Sequence, residues 1–385
     1  MIPVSAEYRS AVRQPHRRRV RVTALPSNDV LAVSSGSVTV GVPDSAGASP
    51  VRTATISFPG FDYVPTSESH PLAPFGQRLR IEIAIEVSTG WEYADLGEFL
   101  ILDTVVDRPA GGIEVECVDL AYRVDQVVAD SDRRVDAFTP VASQIQALVR
   151  EAIGVTVTIA RDDSNGADPD DATDADYKVG TSLWEICKDL AAFVGCGVMF
   201  NRSGQLELRL LEPTTAPVVE TLSPGERGVI SSMRSMVSRK EFVNEFVVEM
   251  FDQADPPNRG FGRARITTGP LRWDGPVGLI RGGETLGGLL SVANNAAQNR
   301  AERELAKLSR RVREIELTLA PMPYLEAGDQ VRVIFPTMGS EEGRVQTVTH
   351  GLSVDTATTA VVRWAPGTGI APMLLGGGGF LGGES

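Results

Sequence analysis

The segment that decides the fold spans residues 78–87 and reads RLRIEIAIEV. Its leucine, isoleucine and valine side chains occupy every second position, which is typical of a β-strand that buries one face. Similar patterns recur before and after it, in RRVRVTAL (18–25), SVTVGV (37–42), RTATISF (52–58), GEFLILDTVV (97–106) and GIEVECVDL (112–120). Turn residues separate these patterns, so the first third of the chain is predicted to be an antiparallel β domain. Prolines in the long loop 59–76 exclude a central strand there, and we expect material outside the sheet to cover this loop.

A second segment, 138–213, is predicted to combine helices with a hairpin. Thr139 is placed to cap a helix whose first position is Pro140 and which Gly154 ends. Ser182 and Glu185 have the spacing of a capping box for a second helix, which runs to Gly195. The hairpin strands that follow are GVMF (197–200) and QLELRLL (205–211).

The remainder returns to β structure around one long helix. We predict a strand at 245–251, an extended surface loop over 252–278 and a helix of about 20 residues within 289–319. Its apolar stripe indicates core packing in preference to a coiled-coil partner. Residues 320–366 are predicted to form a compact β unit, and the glycine-rich tail MLLGGGGFLGGES (373–385) to be a flexible end or an arm ordered by a neighbour.

Composition and charge exclude several classes of protein. The 385 residues carry 50 Asp plus Glu against 37 Lys plus Arg, a net charge of −13, whereas nucleic-acid binders present a large basic face. No apolar run is long enough to span a bilayer. Three cysteines fit no disulfide framework. We therefore expect synthesis in the cytoplasm, no specific nucleic-acid binding and no stable membrane insertion.

The main basic feature is the run His16, Arg17, Arg18, Arg19 and Arg21, with Arg13 beside it. Its alternation with valine indicates one edge of a β-strand. A solvated or subunit-facing edge is favoured over a phosphate site, because no aromatic residues interleave the arginines.

The main acidic feature is the segment 161–177, which contains seven aspartates. The EF-hand pattern fails, because placing Gly166 at its glycine position puts Arg161 where the first acidic ligand belongs. A solvated acidic loop is favoured over an irregular Ca²⁺ site, and weak cation binding stays open.

No catalytic, cofactor-binding or metal-binding residue is assigned. The three histidines, His16, His70 and His350, lie in different segments and in no metal-binding motif. The glycines at 260–262 and 282–288 lack the strand-turn-helix context of a phosphate loop. Cys187 and Cys196 are predicted to fill the core. A glycosidase needs only two suitably placed carboxylates, so this class stays open.

The order of segments resembles the tail-tip or baseplate hub proteins of bacteriophages, especially the minor tail proteins of phages that infect actinobacteria. The matching stretches span about residues 18–365: HPLAPFGQRLRIEIAIE (70–86), DLGEFLILDT (95–104), ECVDLAYRV (116–124), VGTSLWEICKDLAAFVGCGVMFNRSGQLELR (179–209), FVNEFVVE (242–249), AAQNRAERELAKL (296–308) and MPYLEAGDQVRVIF (322–335). The resemblance implies an α+β, mainly β fold with two β-barrel-like domains flanking an α/β insertion.

The resemblance also implies a division of the chain. The predicted segments are an N-terminal arm (1–17), a first β domain like the tail-tube ring (18–130), an α/β insertion domain (131–214), a second β segment with the extended loop and the long helix (215–320), a small β-barrel unit completing the second β domain (321–366) and a glycine-rich tail (367–385).

The function implied is that of a non-enzymatic, homotrimeric hub at the virion tail tip. Such a hub joins the sixfold tail tube or distal tail ring to a threefold central fibre or spike, and forms part of the DNA ejection channel. The implied partners are further copies of the chain, the distal tail protein, the tape-measure protein and the central fibre, spike or receptor-binding tail protein.

Two alternatives remain. One is a tail-associated protein that binds or cleaves cell-wall glycan through residues 161–177 or 252–288. The other is a host-binding module, which needs exposed aromatic residues, and Trp91 and Trp273 are the candidates.

Overall fold

A computed structural model of the chain describes residues 1–43, 51–60, 63–107, 112–135, 139–154, 157–161, 175–194, 196–210, 217–226, 228–237, 242–252, 256–269, 271–289, 296–310, 313–336, 339–353 and 355–364. The fold of these residues is mainly β, with 49% in strands and 16% in helices. The helices of the described part are α1 (Ala6–Val12), α2 (Ala121–Asp125), α3 (Val141–Ile153), α4 (Leu183–Phe193) and α5 (Ala296–Arg310).

The strands fall into one large and three small sheets. Those before the insertion are β1 (Arg18–Leu25), β2 (Asp29–Leu31), β3 (Ser35–Gly41), β4 (Arg52–Pro59), β5 (Arg78–Val87), β6 (Gly90–Asp107) and β7 (Gly112–Val118). The insertion contains β8 (Arg133–Val135), β9 (Ile159–Arg161), β10 (Ala175–Tyr177), β11 (Cys196–Phe200) and β12 (Leu206–Leu210). After it come β13 (Val218–Leu222), β14 (Ile230–Val237), β15 (Glu245–Asp252), β16 (Arg259–Arg265), β17 (Arg281–Leu289), β18 (Arg313–Leu319), β19 (Gln330–Phe335), β20 (Gly339–Gly351) and β21 (Thr358–Arg363).

The large sheet unites the two ends of the chain. Among the described residues it has 13 strands, in the order β14-β18-β21-β20-β3-β4-β7-β6-β5-β1-β2, while β19 joins β20 and β13 joins β19. The pairing of β3 with β20 places Val38 opposite His350 and joins the first β segment to the last. One hydrophobic core covers both. The described strands do not close into a barrel.

The strand alternation predicted from sequence is what builds this core. In β5, Leu79, Ile81, Ile83 and Ile85 are fully buried, as their period-two spacing requires. The N-terminal residues join the same core, because α1 buries Tyr8 and Val12. The Tyr8 and Tyr324 rings meet edge to face, with centroids 6.2 Å apart.

The insertion has a hydrophobic core of its own, formed by residues of α2, α3, α4 and the β11–β12 hairpin. The predicted Ser182 cap is confirmed, because the Ser182 hydroxyl accepts hydrogen bonds from the backbone N–H groups of Trp184 and Glu185. Gly154 ends α3 in the left-handed conformation, with φ of 76°, which glycine adopts without steric cost. The prediction that Thr139 is the N-cap of α3 is wrong, because Pro140 occupies the N-cap position.

One further prediction is wrong in the region 252–319. The segment expected to be a surface loop contains β16, which pairs with β15 in a sheet that also contains β17.

The helix predicted within 289–319 is present as α5, described over Ala296–Arg310. Residues 290–295 and 311–312 lie outside the described residues. Residues 313–319 form β18, since the alternation of REIELTL matches the large sheet, where Ile315, Leu317 and Leu319 are fully buried.

Candidate interaction surfaces

The basic run continues from the residues before β1 into β1, which pairs with β5, and β6 lies on the other side of β5. The strand register places Arg19 opposite Ala84 and Ala84 opposite Tyr93, so arginines of β1 and aromatics of β6 share one face. The Arg19 guanidinium lies 4.4 Å from the ring centroid of Trp91 and 5.0 Å from that of Tyr93. Arg21 lies 3.8 Å above the Tyr93 ring. Aromatic residues therefore do interleave the arginines in space, which the sequence analysis missed because they come from a strand some 70 positions away.

Most charges of this arginine face are paired within the sheet. Arg21 contacts both carboxylate oxygens of Glu82, at 2.6 and 2.7 Å, and Arg17 lies 3.3 Å from Glu86. Planar arginine–carboxylate pairs stacked on rings are stable surface arrangements. Because these guanidinium groups already have carboxylate partners, the arrangement favours a solvent-exposed or subunit-facing surface over a phosphate-binding site.

Arg18 and Arg13 leave this face. Arg18 is buried, and its guanidinium donates to the carbonyl oxygen of Gly351 and, at 2.9 Å, to that of Thr356. Burial lowers the pKa of Arg18. Arg13 lies 2.5 Å from Glu220 of β13. Arg18 therefore connects the start of the chain to its last β segment, and Arg13 connects it to β13, which follows the insertion.

The insertion docks on the large sheet through the turn after β11. The backbone N–H of Glu98 donates to the carbonyl oxygen of Arg202, at 3.3 Å. Gly97, at φ of 116°, makes this approach possible, because a Cβ there would lie 3.0 Å from the Arg202 backbone. A polar cleft of about 220 Å³ lies at this junction, where Arg202 pairs with Glu326 at 3.4 Å.

Beneath the junction lie two buried ionisable residues, Arg52 and Asp119, and the Arg52 guanidinium donates to the carbonyl oxygen of Leu96. The Asp119 carboxylate accepts from the backbone N–H groups of Arg52 and Ala121, at 3.1 and 2.9 Å. Burial raises the pKa of Asp119 to about 6, and burial lowers that of Arg52. The Asp119 carboxylate thus binds the backbone of β4, at Arg52, and of α2, at Ala121, where the large sheet leads into the insertion.

The small sheet of β15, β16 and β17 is fixed by another buried carboxylate. Glu245 is fully buried and accepts from the guanidinium groups of Arg265 and Arg281. Burial alone raises the pKa of Glu245, but the two arginines outweigh it and hold the pKa below its usual value. Trp273 lies under Arg265, with the guanidinium 4.3 Å from the ring centroid.

On the other side of this sheet, α5 packs directly on β16. A Cβ at Gly262 would lie 2.0 Å from the carbonyl oxygen of Ala297. The Gln298 side chain accepts from the backbone N–H of Arg263 at 3.0 Å and donates to its carbonyl at 3.2 Å. Gln298 thus occupies the outer edge of β16, where a further strand would otherwise pair.

Two exposed features of the described residues are candidates for contact with another chain. Phe261 of β16 is 66% exposed, and the alternation of the strand puts Arg259 and Arg263 on the same face. Strand β14 ends the large sheet. Within the described residues it pairs with β18, and beyond that only its first residue, Ile230, forms a bridge, with Pro224. Its Met236 is 53% exposed. A long exposed edge of this kind is a template for pairing with another chain.

The histidines and cysteines lie in separate places in the fold. His70 accepts from the backbone N–H of Leu72 at 3.1 Å, and the His16 ring lies 2.8 Å from the carbonyl oxygen of Gln14. His350 is buried, and burial lowers its pKa to about 4. The three cysteines are buried and form no disulfide.

Within the part of the chain that the structure describes, no cluster of histidine, cysteine and carboxylate side chains could hold a metal ion. In the same residues no helix is long and apolar enough to cross a membrane. Most of the acidic segment, 162–174, and the glycine-rich tail, 367–385, lie outside the described residues.

No protein-family model and no curated protein matches the chain. Solved structures of phage and prophage tail proteins do match. The tail protein of Neisseria meningitidis MC58 has a TM-score of 0.65 at 15% identity, over 90% of this chain and 97% of that one. The 43 kDa tail protein of prophage MuSo2 from Shewanella oneidensis has a TM-score of 0.60 at 15% identity, over 90% and 98%. Prophage tail protein gp18 of Listeria monocytogenes EGD-e has a TM-score of 0.55 at 11% identity, over 92% and 97%.

The chain therefore has the fold of phage tail proteins along nearly its whole length. The resemblance inferred from the order of segments is confirmed at this level.

Proposed function

We propose that the protein is a structural, non-enzymatic component of a phage tail tip. In this proposal three copies form a hub between the sixfold tail tube or distal tail ring and a threefold central fibre or spike. The hub lines part of the DNA ejection channel, and its partners include the tape-measure protein. The observation that carries the proposal is the similarity in fold to tail proteins over 90% or more of the chain.

The large sheet supports this proposal in two ways. The large sheet contains two β segments, one on either side of the insertion, and they meet where β3 pairs with β20. A subunit of a threefold hub would use two such β surfaces to contact a sixfold ring. Its open edge at β14 is available to a neighbouring copy, because the strand is exposed on both faces from Arg234 to Met236. The two barrel-like domains and the six segments of the sequence analysis remain part of the proposal.

Charge is compatible with this role. The net charge of −13 permits an acidic bore, which repels the phosphates of passing DNA within about 8 Å at physiological salt.

Within the described residues no observation favours the glycan alternative, and most of 161–177 lies outside them. In the described part of 252–288, Asp252 holds Asn258 at 2.6 Å, Asp274 pairs with Arg272 at 3.1 Å and Glu284 pairs with Arg300 at 2.6 Å. These carboxylates are engaged in structural contacts.

The test is the mass of the purified full chain by light scattering, together with imaging of virions labelled with an antibody against it. Three chains of 41.2 kDa each, about 124 kDa, and label at the tail tip are the expected results. A chain that stays at 41.2 kDa at every concentration, or that is absent from virions, would contradict the proposal.

A further inference from the structure

Arg52 is a buried cation that forms no ion pair within the described residues. It is 3% exposed, and its Nη2 atom donates to the carbonyl oxygen of Leu96. Its Nε atom is buried and has no hydrogen-bond partner in the described part of the chain. Asp119 accepts from the backbone N–H of Arg52 and not from its guanidinium. A buried charge without a partner is strongly unfavourable, so this guanidinium requires an acceptor.

Arg52 lines the polar cleft between the large sheet and the insertion, which has a volume of about 220 Å³. A single water needs roughly 10–15 Å³ of such space, so the cleft has room for a small ion of several atoms. Arg202 and Arg209 line it from the insertion. Arg52 and Arg202 are close together, because a Cβ at Gly97 would lie 2.7 Å from Arg52 Nη2 and 3.0 Å from the Arg202 backbone. Ligand sites occur preferentially at such boundaries between domains.

The carboxylates that line the cleft already have cationic partners. Glu207 pairs with Arg209, whose Nη2 atom lies 2.8 Å away. Glu326 lies 3.1 Å from the Met1 ammonium and 3.4 Å from Arg202 Nη1. The lining therefore contains four cationic groups, from Met1 and three arginines, and two carboxylates. This excess of cationic groups favours an anion over a cation as the occupant.

A third carboxylate, Asp329, lies behind the lining and holds the Met1 ammonium at 2.7 Å. Each carboxylate at the cleft thus has a partner, and Arg52 is the cation that has none among the described residues. Burial lowers the pKa of Arg52, and the charges of Arg202 and Arg209 act in the same direction. An anion in the cleft opposes both effects, because it pairs with guanidinium groups of the sheet and of the insertion at once.

We propose that this cleft binds a small oxyanion of the phosphate class, held by the guanidinium groups of Arg52 and Arg202 with the Ser203 hydroxyl beside them. Arg52 belongs to β4 of the large sheet, and Arg202 lies in the turn between β11 and β12 of the insertion. The anion therefore joins the two units, and its binding stabilises the docked insertion. This inference goes beyond the proposed hub function and does not depend on it.

The first test is the binding of inorganic phosphate to the full chain, purified in phosphate-free buffer. Isothermal titration calorimetry is expected to show one saturable site per chain. The unfolding temperature is expected to rise with phosphate concentration, as it does for a ligand that binds only the folded state. Sodium chloride at matched ionic strength is the control and is expected to give no saturable rise. The absence of saturable phosphate binding would overturn the inference.

The second test assigns the site to its residues. Arg202→Gln is expected to weaken phosphate binding at least tenfold, and Arg133→Gln is expected to leave it unchanged. The two side chains are matched, since they are 25% and 24% exposed and each pairs with a glutamate, but Arg133 lies outside this cleft. Far-UV circular dichroism checks that both variants fold. Equal phosphate affinity of Arg202→Gln and the wild type would show that the cleft is not the site.

The third test locates the anion and identifies its source. Saturating phosphate is expected to slow hydrogen exchange in peptides that contain Glu98 or Ser203, and to leave the amides of α5 unchanged. A short DNA duplex at the same concentration of phosphate groups is expected to give no protection, because a duplex cannot enter a cleft of about 220 Å³. Protection confined to other peptides, or protection by DNA and not by inorganic phosphate, would overturn the inference.

Discussion

The Arg18 Nη1 atom lies 2.9 Å from the carbonyl oxygen of Thr356, although 338 positions separate the two residues. Arg18 belongs to β1, close to one end of the large sheet, and Thr356 follows β20 in its middle. Together with the bond to Gly351, this contact holds β1 close to the place where the two β segments meet, the pairing of β3 with β20. Side-chain donors make the connection, because no backbone pairing joins β1 to β20 among the described strands.

Replacing Arg18 by methionine is expected to destabilise the fold by about 1–3 kcal/mol, because the carbonyl of Gly351 loses its donor in a buried position. Urea unfolding followed by circular dichroism measures this loss. Arg17→Met is the control, since its side chain is 77% exposed and exposed ion pairs contribute little. Equal midpoints for the two variants would show that Arg18 does not hold the two β segments together.

Gly97→Ala is expected to loosen the insertion from the large sheet. The added Cβ would lie 2.7 Å from the Arg52 Nη2 atom and 3.0 Å from the Arg202 backbone. Gly90→Ala is the control. It introduces similar backbone strain, since Gly90 has φ of 120°, but its Cβ would meet nothing within 4 Å. The difference between the two variants therefore isolates the contact. We expect faster limited proteolysis of the insertion for Gly97→Ala than for Gly90→Ala, and equal rates would contradict the proposed docking.

Gly262→Ala is expected to displace α5 from β16. The methyl group would lie 2.0 Å from the Ala297 carbonyl, and overpacking of this kind costs about 1–3 kcal/mol. Gly112→Ala is the control, because its Cβ would meet nothing within 4 Å. The measurements are the unfolding midpoint and hydrogen exchange of the amides in α5. Unchanged exchange in α5 would mean that the helix accommodates the methyl group.

Stability is expected to fall as the pH drops from 6.5 toward 4, because of His350. Burial holds the pKa of this ring at about 4, against 6.5 for an exposed histidine, so the unfolded chain takes up the proton first. The stabilisation is therefore present above pH 6.5 and is lost as the pH falls to about 4. By linkage its size is on the order of 3 kcal/mol.

His350→Gln removes the titrating group while keeping an amide that can donate to the Leu325 carbonyl, which His350 Nε2 meets at 3.1 Å. Urea unfolding at several pH values between 4 and 7 is expected to give a flatter profile for this variant. Parallel profiles for variant and wild type would place the acid sensitivity in another group.

Local patterns predicted most of the elements. Alternating segments such as 78–87 became strands, and Ser182 and Gly154 delimit helices as expected, because strand faces and helix ends are set by residues within one or two turns. Predictions failed where packing decided the outcome. The N-cap position of α3 was predicted at Thr139 but lies at Pro140. Strand 259–265 was missed because it has only glycine, alanine and phenylalanine between its arginines, which makes its apolar alternation weak.

The interaction surfaces were less accessible to sequence analysis. The arginines of β1 were found, but Trp91 and Tyr93 beneath them were not connected to the run. The exposure of Phe261 carries no local signal, because an exposed phenylalanine differs from a buried one only through its neighbours in space.

The sequence by itself determined the mainly β composition and the order of strands and helices, because these depend on periodicity and on turn and cap residues that act locally. The order of these segments also carried the resemblance to phage tail proteins. Only the tertiary structure decided that β3 pairs with β20, that Arg18 reaches Thr356, and that Arg19 lies between Trp91 and Tyr93. Each of these contacts joins residues far apart in the chain, and their pairing is fixed by which apolar faces bury one another in the common core.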